Sequence, residues 1–163
     1  MDKKKKIVRL TTAGESLDDL LIGQLKYLNQ YFDIIAVAKD DGRLQKVRKR
    51  EGVRVVDAPI ERPISLLKDI IALRWLINFF KQEKPWCVHA NTPKGSLLAM
   101  VAAWICRVPH RIYTVTGLRY QGATGKFKFV LQTMERITCA CATKVIPEGQ
   151  GVLKTLKNDH ITN

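Results

Sequence analysis

Residues 88–104 read VHANTPKGSLLAMVAAW. The apolar run at 86–90 has strand character and ends on His89-Ala90, the polar turn Asn91-Thr92-Pro93-Lys94-Gly95 follows, and a helical pattern begins at Ser96. Thr92-Pro93 places a capping hydroxyl before a proline at a first helical position, where the missing N–H costs nothing. Strand, tight polar corner and helix make one βα unit. The corner holds an imidazole, an amide, a hydroxyl and a cation beside a helix N-terminus, more chemistry than a connector needs.

The same alternation runs through the chain. Strand patterns lie at 6–10, 34–38, 53–56, 86–90, 111–115 and 144–146. Helical patterns lie at 17–31, 43–51, 65–83, 96–107, 126–141 and 151–157. Strand after helix after strand implies right-handed crossovers and a parallel sheet. The fold expected is α/β: a Rossmann-like parallel sheet of about six strands with helices on both faces. The first, second and fifth strands read as near-continuous apolar runs, as strands covered on both faces do. Helix boundaries carry signals of their own: Ser16 with an acid three residues on, Glu51-Gly52, and Lys84-Pro85 before the fourth strand. In helix 65–83 the row Leu66, Ile70, Leu73, Ile77 and Phe80 reads as the core face. Trp75 and Phe79 read as a candidate exposed edge, with a broadly buried helix as the plainer alternative.

A chain of 163 residues suffices for one domain with a proper core. Apolar residues make up 46% and charged residues 26%, an ordinary globular balance. The net charge of +13 is not ordinary, and points to an anionic partner: phosphorylated substrate, acidic membrane surface or nucleic acid. A basic, merely solvated surface is the plainer alternative. Lys3 to Lys6 precede no apolar stretch of signal-peptide length. The longest apolar run, 97–106, is too short to span a bilayer. Cys87, Cys106, Cys139 and Cys141 lack metal-site spacing and read as reduced core thiols of a cytoplasmic protein.

In an open α/β sheet ligands gather beyond the carboxyl ends of the strands, near the point where strand order reverses. The loops there are 11–16, 57–62, 89–94, 116–119 and 147–151. The first holds Thr12, Gly14, Glu15 and Ser16 but no GxGxxG, which argues against a nicotinamide or flavin enzyme. Its free amides could face an anion. Lys94 would add a full charge to the partial charge of its helix, and His89 could hydrogen-bond a hydroxyl. Thr116, Gly117 and Arg119 follow the fifth strand, with Arg119 free to pair with a phosphate. Each group also has a plain structural reading: a βα turn, a satisfied strand-end histidine, a solvated lysine. Glu135, beside Arg136 in mid-helix, reads as surface.

KIVRLTTAGES (6–16), GVRVVDAPIERPISLLKDIIAL (52–73), KPWCVHANTPKGSLLAMVAAWICRVPHRIYTVTGLRY (84–120) and MERITCACATKVIPEGQGV (134–152) come in that order. Together they resemble the N-terminal half of a glycosyltransferase family 4 enzyme of bacterial capsular or lipopolysaccharide assembly. The resemblance covers essentially the whole chain. It implies the GT-B arrangement, in which two Rossmann-like domains face a cleft. Residues 1–163 would be the acceptor-binding domain, and a C-terminal domain absent from this chain would hold the nucleotide sugar. It also implies retaining transfer from a nucleotide sugar to a lipid-linked or polysaccharide acceptor, with no cofactor and no metal. By position, Thr12, Gly14, Glu15 and Ser16 would approach donor phosphate and acceptor. His89, Asn91, Thr92 and Lys94 would line the acceptor side, and Thr116, Gly117 and Arg119 would close the next loop. Thr116 and Asn91 stand where many members carry histidine, and the serine common near Pro147-Glu148-Gly149 is missing. No catalytic residue is assigned, His89 being the one candidate. The partners implied are the sugar acceptor and, peripherally, the anionic inner face of the plasma membrane, with Lys3 to Lys6 and the Trp75/Phe79 edge as contacts.

Two other classes fit parts of the sequence. A basic α/β module for anions or nucleic acid fits the charge, but its aromatic residues are few and not interleaved with the cations, as stacking platforms require. Half of a GT-B-like sugar-nucleotide epimerase fits the element order.

Overall fold

A computed structural model describes residues 4–162. Six strands form one parallel sheet: β1 (Lys6–Ala13), β2 (Asp33–Lys39), β3 (Arg54–Asp57), β4 (Cys87–Ala90), β5 (His110–Val115) and β6 (Lys144–Pro147). The spatial order is β3-β2-β1-β4-β5-β6, so the chain reverses direction between β1 and β4. The helices are α1 (Gly14–Leu20), α2 (Gln24–Asn29), α3 (Leu44–Glu51), α4 (Leu66–Glu83), α5 (Pro93–Ile105), α6 (Gly125–Cys141) and α7 (Gln150–Asn158). The expected α/β class, strand count and parallel sense all hold.

Two cores flank the sheet. Leu17, Leu21, Leu25, Leu44 and Val47 of α1 to α3 pack on Ile7, Ile34, Ala36 and Ala38. On the other face α4 to α7 pack on Val8, Leu10, Ile35, Val37, Val88, Tyr113 and Val115. β1 and β2 are therefore covered on both sides, as their apolar runs imply. β5 is not. Its Tyr113 and Val115 are buried, but Ile112 and Thr114 on the α1-to-α3 side are half-buried, because those helices cover only the β1–β2 half.

Several expectations about helix boundaries and faces fail. The helix expected at 17–31 is two helices broken at Gly23, whose φ is +73°. Buried Glu51 accepts hydrogen bonds from the backbone N–H of Gly23 and Lys26, both at 3.0 Å, and so caps α2 from a distant helix. Ser16 lies inside α1, which begins at Gly14, rather than capping it. Helix α5 starts at Pro93 instead of Ser96, with Thr92 as its N-cap residue. In α4 the buried residues are Ala72, Leu76, Phe79 and Phe80. The expected core row survives only at Phe80, with Leu73 and Ile77 half-buried, while Leu66 and Ile70 are exposed. Phe79 is buried and stacks with half-buried Trp75, ring centroids 5.1 Å apart, so the expected exposed edge does not exist.

Lys4 to Lys6 lie at the amino edge of the sheet, the end away from the strand-to-helix corners. Lys6 pairs with Glu83 at 2.5 Å and Lys5 sits over the Trp86 ring at 4.6 Å, while Lys3 falls outside the described residues. All four cysteines are free; Cys87 and Cys139 are buried, and Cys106 and Cys141 half-buried. Burial pushes the thiols up, to about 11 for Cys87 and about 12 for Cys139, which leaves those two inert.

Candidate functional site

The β1/β4 boundary is the topological switch point, and a recess of about 280 Å³ opens above it. Thr12, Ser16, Arg62, Thr92, Pro93, Lys94 and Arg119 line it. A second recess of about 500 Å³ adjoins it, shares Thr12 and Arg62, and runs over the ends of β1 to β3 past Glu15, Lys39, Asp41 and Arg43.

The floor is a hydroxyl knot. Thr12 N–H donates to Thr92 Oγ1 at 2.8 Å, the two hydroxyls meet at 2.7 Å, and Gly95 N–H donates to Thr12 Oγ1 at 3.0 Å. These bonds lash the β1 exit to the first turn of α5. The approach is close enough that a Cβ on Gly95 would sit 3.0 Å from the Thr12 nitrogen and 2.9 Å from Thr92 Oγ1. Thr92 does not cap its own helix, since its oxygen is spent across the strand boundary. β1 shifts register between Leu10 and Ala13, which brings Thr12 over α5.

Lys94 is not the solvated cation expected. It is 4% exposed, pairs with Asp69 Oδ1 at 2.6 Å and donates to the Pro63 carbonyl. Only the edge of its side chain reaches the recess. The amides at the start of α1 are no anion cradle either. Asp41 Oδ2 accepts the Glu15 N–H at 2.8 Å, and Asp41 Oδ1 would lie 2.6 Å from a Cβ on Gly14. Glu15 faces the second recess and pairs with Arg62 and Arg43. Gly14 lies behind both recesses, buried against Asp41.

His89 and Asn91 lie below the recess. Asn91 is buried, and its Oδ1 accepts from Arg9 Nη2 at 3.0 Å. Half-buried His89 shares a 2.8 Å hydrogen bond between Nε2 and Thr114 Oγ1. Burial first, and the nearby Arg9 cation second, push the imidazole down to about 3. A histidine held neutral in this way is a poor proton carrier at neutral pH. Thr116 donates to the Asn91 carbonyl at 3.3 Å. Gly117 is half-buried with open space at its Cβ position. Arg119 is exposed, opens a short 3-10 turn (Arg119–Gly122), and makes no ion pair or side-chain hydrogen bond among the described residues.

The structure therefore gathers Thr12, Ser16, Thr92, Lys94 and Arg119 at one recess and Glu15 at its neighbour. His89, Asn91, Thr116, Gly117 and Gly14 serve as the frame beneath and beside them. Three participants are not evident in the sequence pattern. Arg9 is 1% exposed in the middle of β1, with Nε and Nη1 unpartnered among the described residues, and burial lowers it to about 10. A cation inside an apolar strand is the signal that marks it. Arg62 reaches the recess from the loop after β3. Glu135, expected at the surface, is buried and accepts the Tyr113 hydroxyl hydrogen at 2.7 Å, with burial holding its carboxyl above the usual range.

Two measurements follow from this geometry. Lys94→Ala removes a buried side chain and its charge-assisted bonds, but leaves Asp69 partly exposed and still accepting the Ser65 N–H, so it should cost about 1.5 kcal/mol in urea unfolding. A loss below about 0.5 kcal/mol would return Lys94 to the solvent. His89 is held below its unfolded value of 6.5, so it contributes stability that is complete above pH 6.5 and lost as pH falls toward 3. Between pH 7 and 5 the wild type should lose about 2 kcal/mol more than His89→Gln, the equivalent of roughly 1.5 pH units of linkage. Equal losses would show that His89 titrates normally.

Comparison with known proteins places the fold in a family. Residues 28–156 match the glycosyl transferase 4-like domain. The chain is 36% identical over 161 residues to the capsular polysaccharide biosynthesis glycosyltransferase CapM of Staphylococcus aureus, covering 99% of this chain and 40% of that protein. It is 32% identical over 120 residues to an Escherichia coli UDP-Gal:α-D-GlcNAc-diphosphoundecaprenol α-1,3-galactosyltransferase, covering 72% of this chain and 31% of that one. The chain thus spans two fifths or less of the length of these relatives. Among solved structures, a UDP-N-acetylglucosamine 2-epimerase superimposes with a TM-score of 0.71 at 18% identity, over 96% of this chain and 45% of that one, which supports the fold alone. The match over most of the chain, on a sheet with its recess at the switch point, makes this protein a member of the glycosyl transferase 4-like domain family.

Proposed function

We propose that this chain is the acceptor-binding half of a retaining glycosyltransferase. The whole enzyme would move a sugar from a nucleotide sugar to a lipid-linked or polysaccharide acceptor in capsule or lipopolysaccharide assembly. A second domain, outside this chain, would bind the nucleotide sugar across the strand-end cleft. One observation carries the reading: at the switch point, a recess lined by the hydroxyls of Thr12, Ser16 and Thr92 is flanked by the cations Arg62 and Arg119. Hydroxyls suit a sugar, and a guanidinium suits a phosphate. The sequence relatives are both named as glycosyltransferases, which favours transfer over epimerisation.

In this reading the domain contributes position. Transfer requires donor phosphate, anomeric carbon and acceptor oxygen held together, and such holding supplies much of an enzyme's rate. The Thr12–Thr92–Gly95 knot fixes the floor. Arg119, unpaired among the described residues, meets acceptor phosphate, so no metal is called for on this side. No described helix is long and apolar enough to cross a membrane. We place the enzyme in the cytoplasm, peripheral on the inner face of the plasma membrane, where a lipid-linked acceptor is reached.

The domain alone, mixed with nucleotide sugars and a lipid-diphosphate-sugar acceptor, should release no nucleotide above background. In an enzyme that also carries the donor domain, Arg119→Ala should raise the acceptor KM at least about tenfold, as expected for one lost charge-assisted hydrogen bond, and leave the nucleotide-sugar KM unchanged. Turnover by the isolated domain, or an Arg119 effect confined to the nucleotide sugar, would contradict the assignment.

A further inference from the structure

The first two turns of α4 and α6 carry an apolar surface that no core explains. Leu66, Leu67, Ile70 and Ile71 on α4 and Phe127 and Phe129 on α6 are each at least 46% exposed. The core of α4 begins only at Ala72, and that of α6 at Leu131. Helices α4 and α6 flank α5 in one layer, and their N-termini lie at the carboxyl edge of the sheet. Between them Ile64, Pro93, Leu131 and Met134 line a slot that joins the strand-end recess through Pro93, Lys94 and Arg119. Large apolar side chains left exposed on two helix ends beside a strand-end recess mark an interaction site.

Its charge identifies the occupant. Lys126-Phe127-Lys128-Phe129 alternates cation and ring, all four side chains are exposed, and neither lysine makes an ion pair among the described residues. The single acid of α6, Glu135, is buried. Large apolar side chains among unpaired lysines suit a bilayer surface, where rings enter the acyl boundary and ammonium groups reach lipid phosphates. The slot has about 20 Å³ of free space, enough for about one water molecule. It is too narrow to enclose a lipid chain, so the apolar groups face outward to the membrane.

We propose that the N-terminal turns of α4 and α6 form a docking surface for an anionic phospholipid bilayer. The inference rests on the reading of a lipid-linked acceptor and gives it a place: docking here sets the Arg119 recess at headgroup level. It also moves the membrane contact from Lys3 to Lys6 and the Trp75/Phe79 edge to the other end of the sheet.

The test is co-sedimentation with vesicles of equal parts phosphatidylglycerol and phosphatidylcholine, and with phosphatidylcholine alone. The wild type should bind the anionic vesicles and bind the neutral ones far more weakly. Leu67→Glu with Ile71→Glu, and Phe127→Ser with Phe129→Ser, should each lower affinity at least about tenfold, the factor expected for one large apolar side chain no longer buried. Leu20→Glu with Ile22→Glu, an exposed apolar pair on the opposite layer, should bind as the wild type does. Thermal melts should match throughout, since all these side chains are exposed. Undiminished binding by the α4 and α6 variants overturns this surface and leaves the membrane placement standing. Absence of wild-type binding overturns both. A dimer in light scattering that Leu67→Glu dissolves, with no vesicle binding, overturns it in favour of self-association. Transfer to a detergent-dispersed acceptor by the full enzyme needs no bilayer and should survive the substitutions, which separates this inference from the assignment of transfer itself.

Discussion

The hydroxyls of Thr12 and Thr92, 2.7 Å apart across the β1/β4 boundary, are the contact on which the site depends. Strand order reverses at this boundary, and the two halves of the sheet meet there through β1–β4 pairing, through helices α4 and α5 packed across it, and through what their loops do. The knot adds three hydrogen bonds, one of them from the first turn of α5. It draws the helix start so near to β1 that only glycine fits at position 95 without displacing backbone. The recess, its two arginines and the slot beside it all take their positions from this junction.

Much of the polar chemistry beneath the recess is structural. Arg9 holds Asn91 and Gln24 and, with burial, keeps His89 uncharged. Lys94 ties α5 to the start of α4 through Asp69 and Pro63. Glu135 binds Tyr113 across the α6–β5 contact. These groups hold loops in place, and the surface offered to a ligand narrows to a few hydroxyls and two guanidinium groups. A cleft that works by holding needs a rigid floor, and a buried, hydrogen-bonded polar network supplies one.

The alternation of short apolar runs with helical patterns was enough to read six parallel strands, and the Pro93 of Thr92-Pro93 marked the start of α5, three residues before its periodic pattern. What escaped was set by contacts distant in sequence. Glu51 breaks a helix 28 residues before it, through Gly23. Asp69 buries Lys94, which looks from its neighbours like a surface lysine. Periodicity gave α4 an apolar face but not how far along the helix the core extends, so Leu66 and Ile70 read as core and are exposed. Of the candidate site residues, Thr12, Ser16, Thr92, Lys94 and Arg119 reached the recess. His89 and Asn91 point below it, because a strand alternates its side chains between faces and neither register could be known without the sheet.

The central claim is that the acceptor sits at this junction. Amide chemical shifts of the labelled domain, titrated with a water-soluble sugar diphosphate carrying a short alkyl chain, test it most directly. Shifts should centre on Thr12, Thr92, Gly95 and Arg119, and uridine diphosphate alone should perturb them far less. Shifts confined to the amino edge of the sheet, around Lys5 and Trp86, or a stronger response to uridine diphosphate at the recess, would contradict the account.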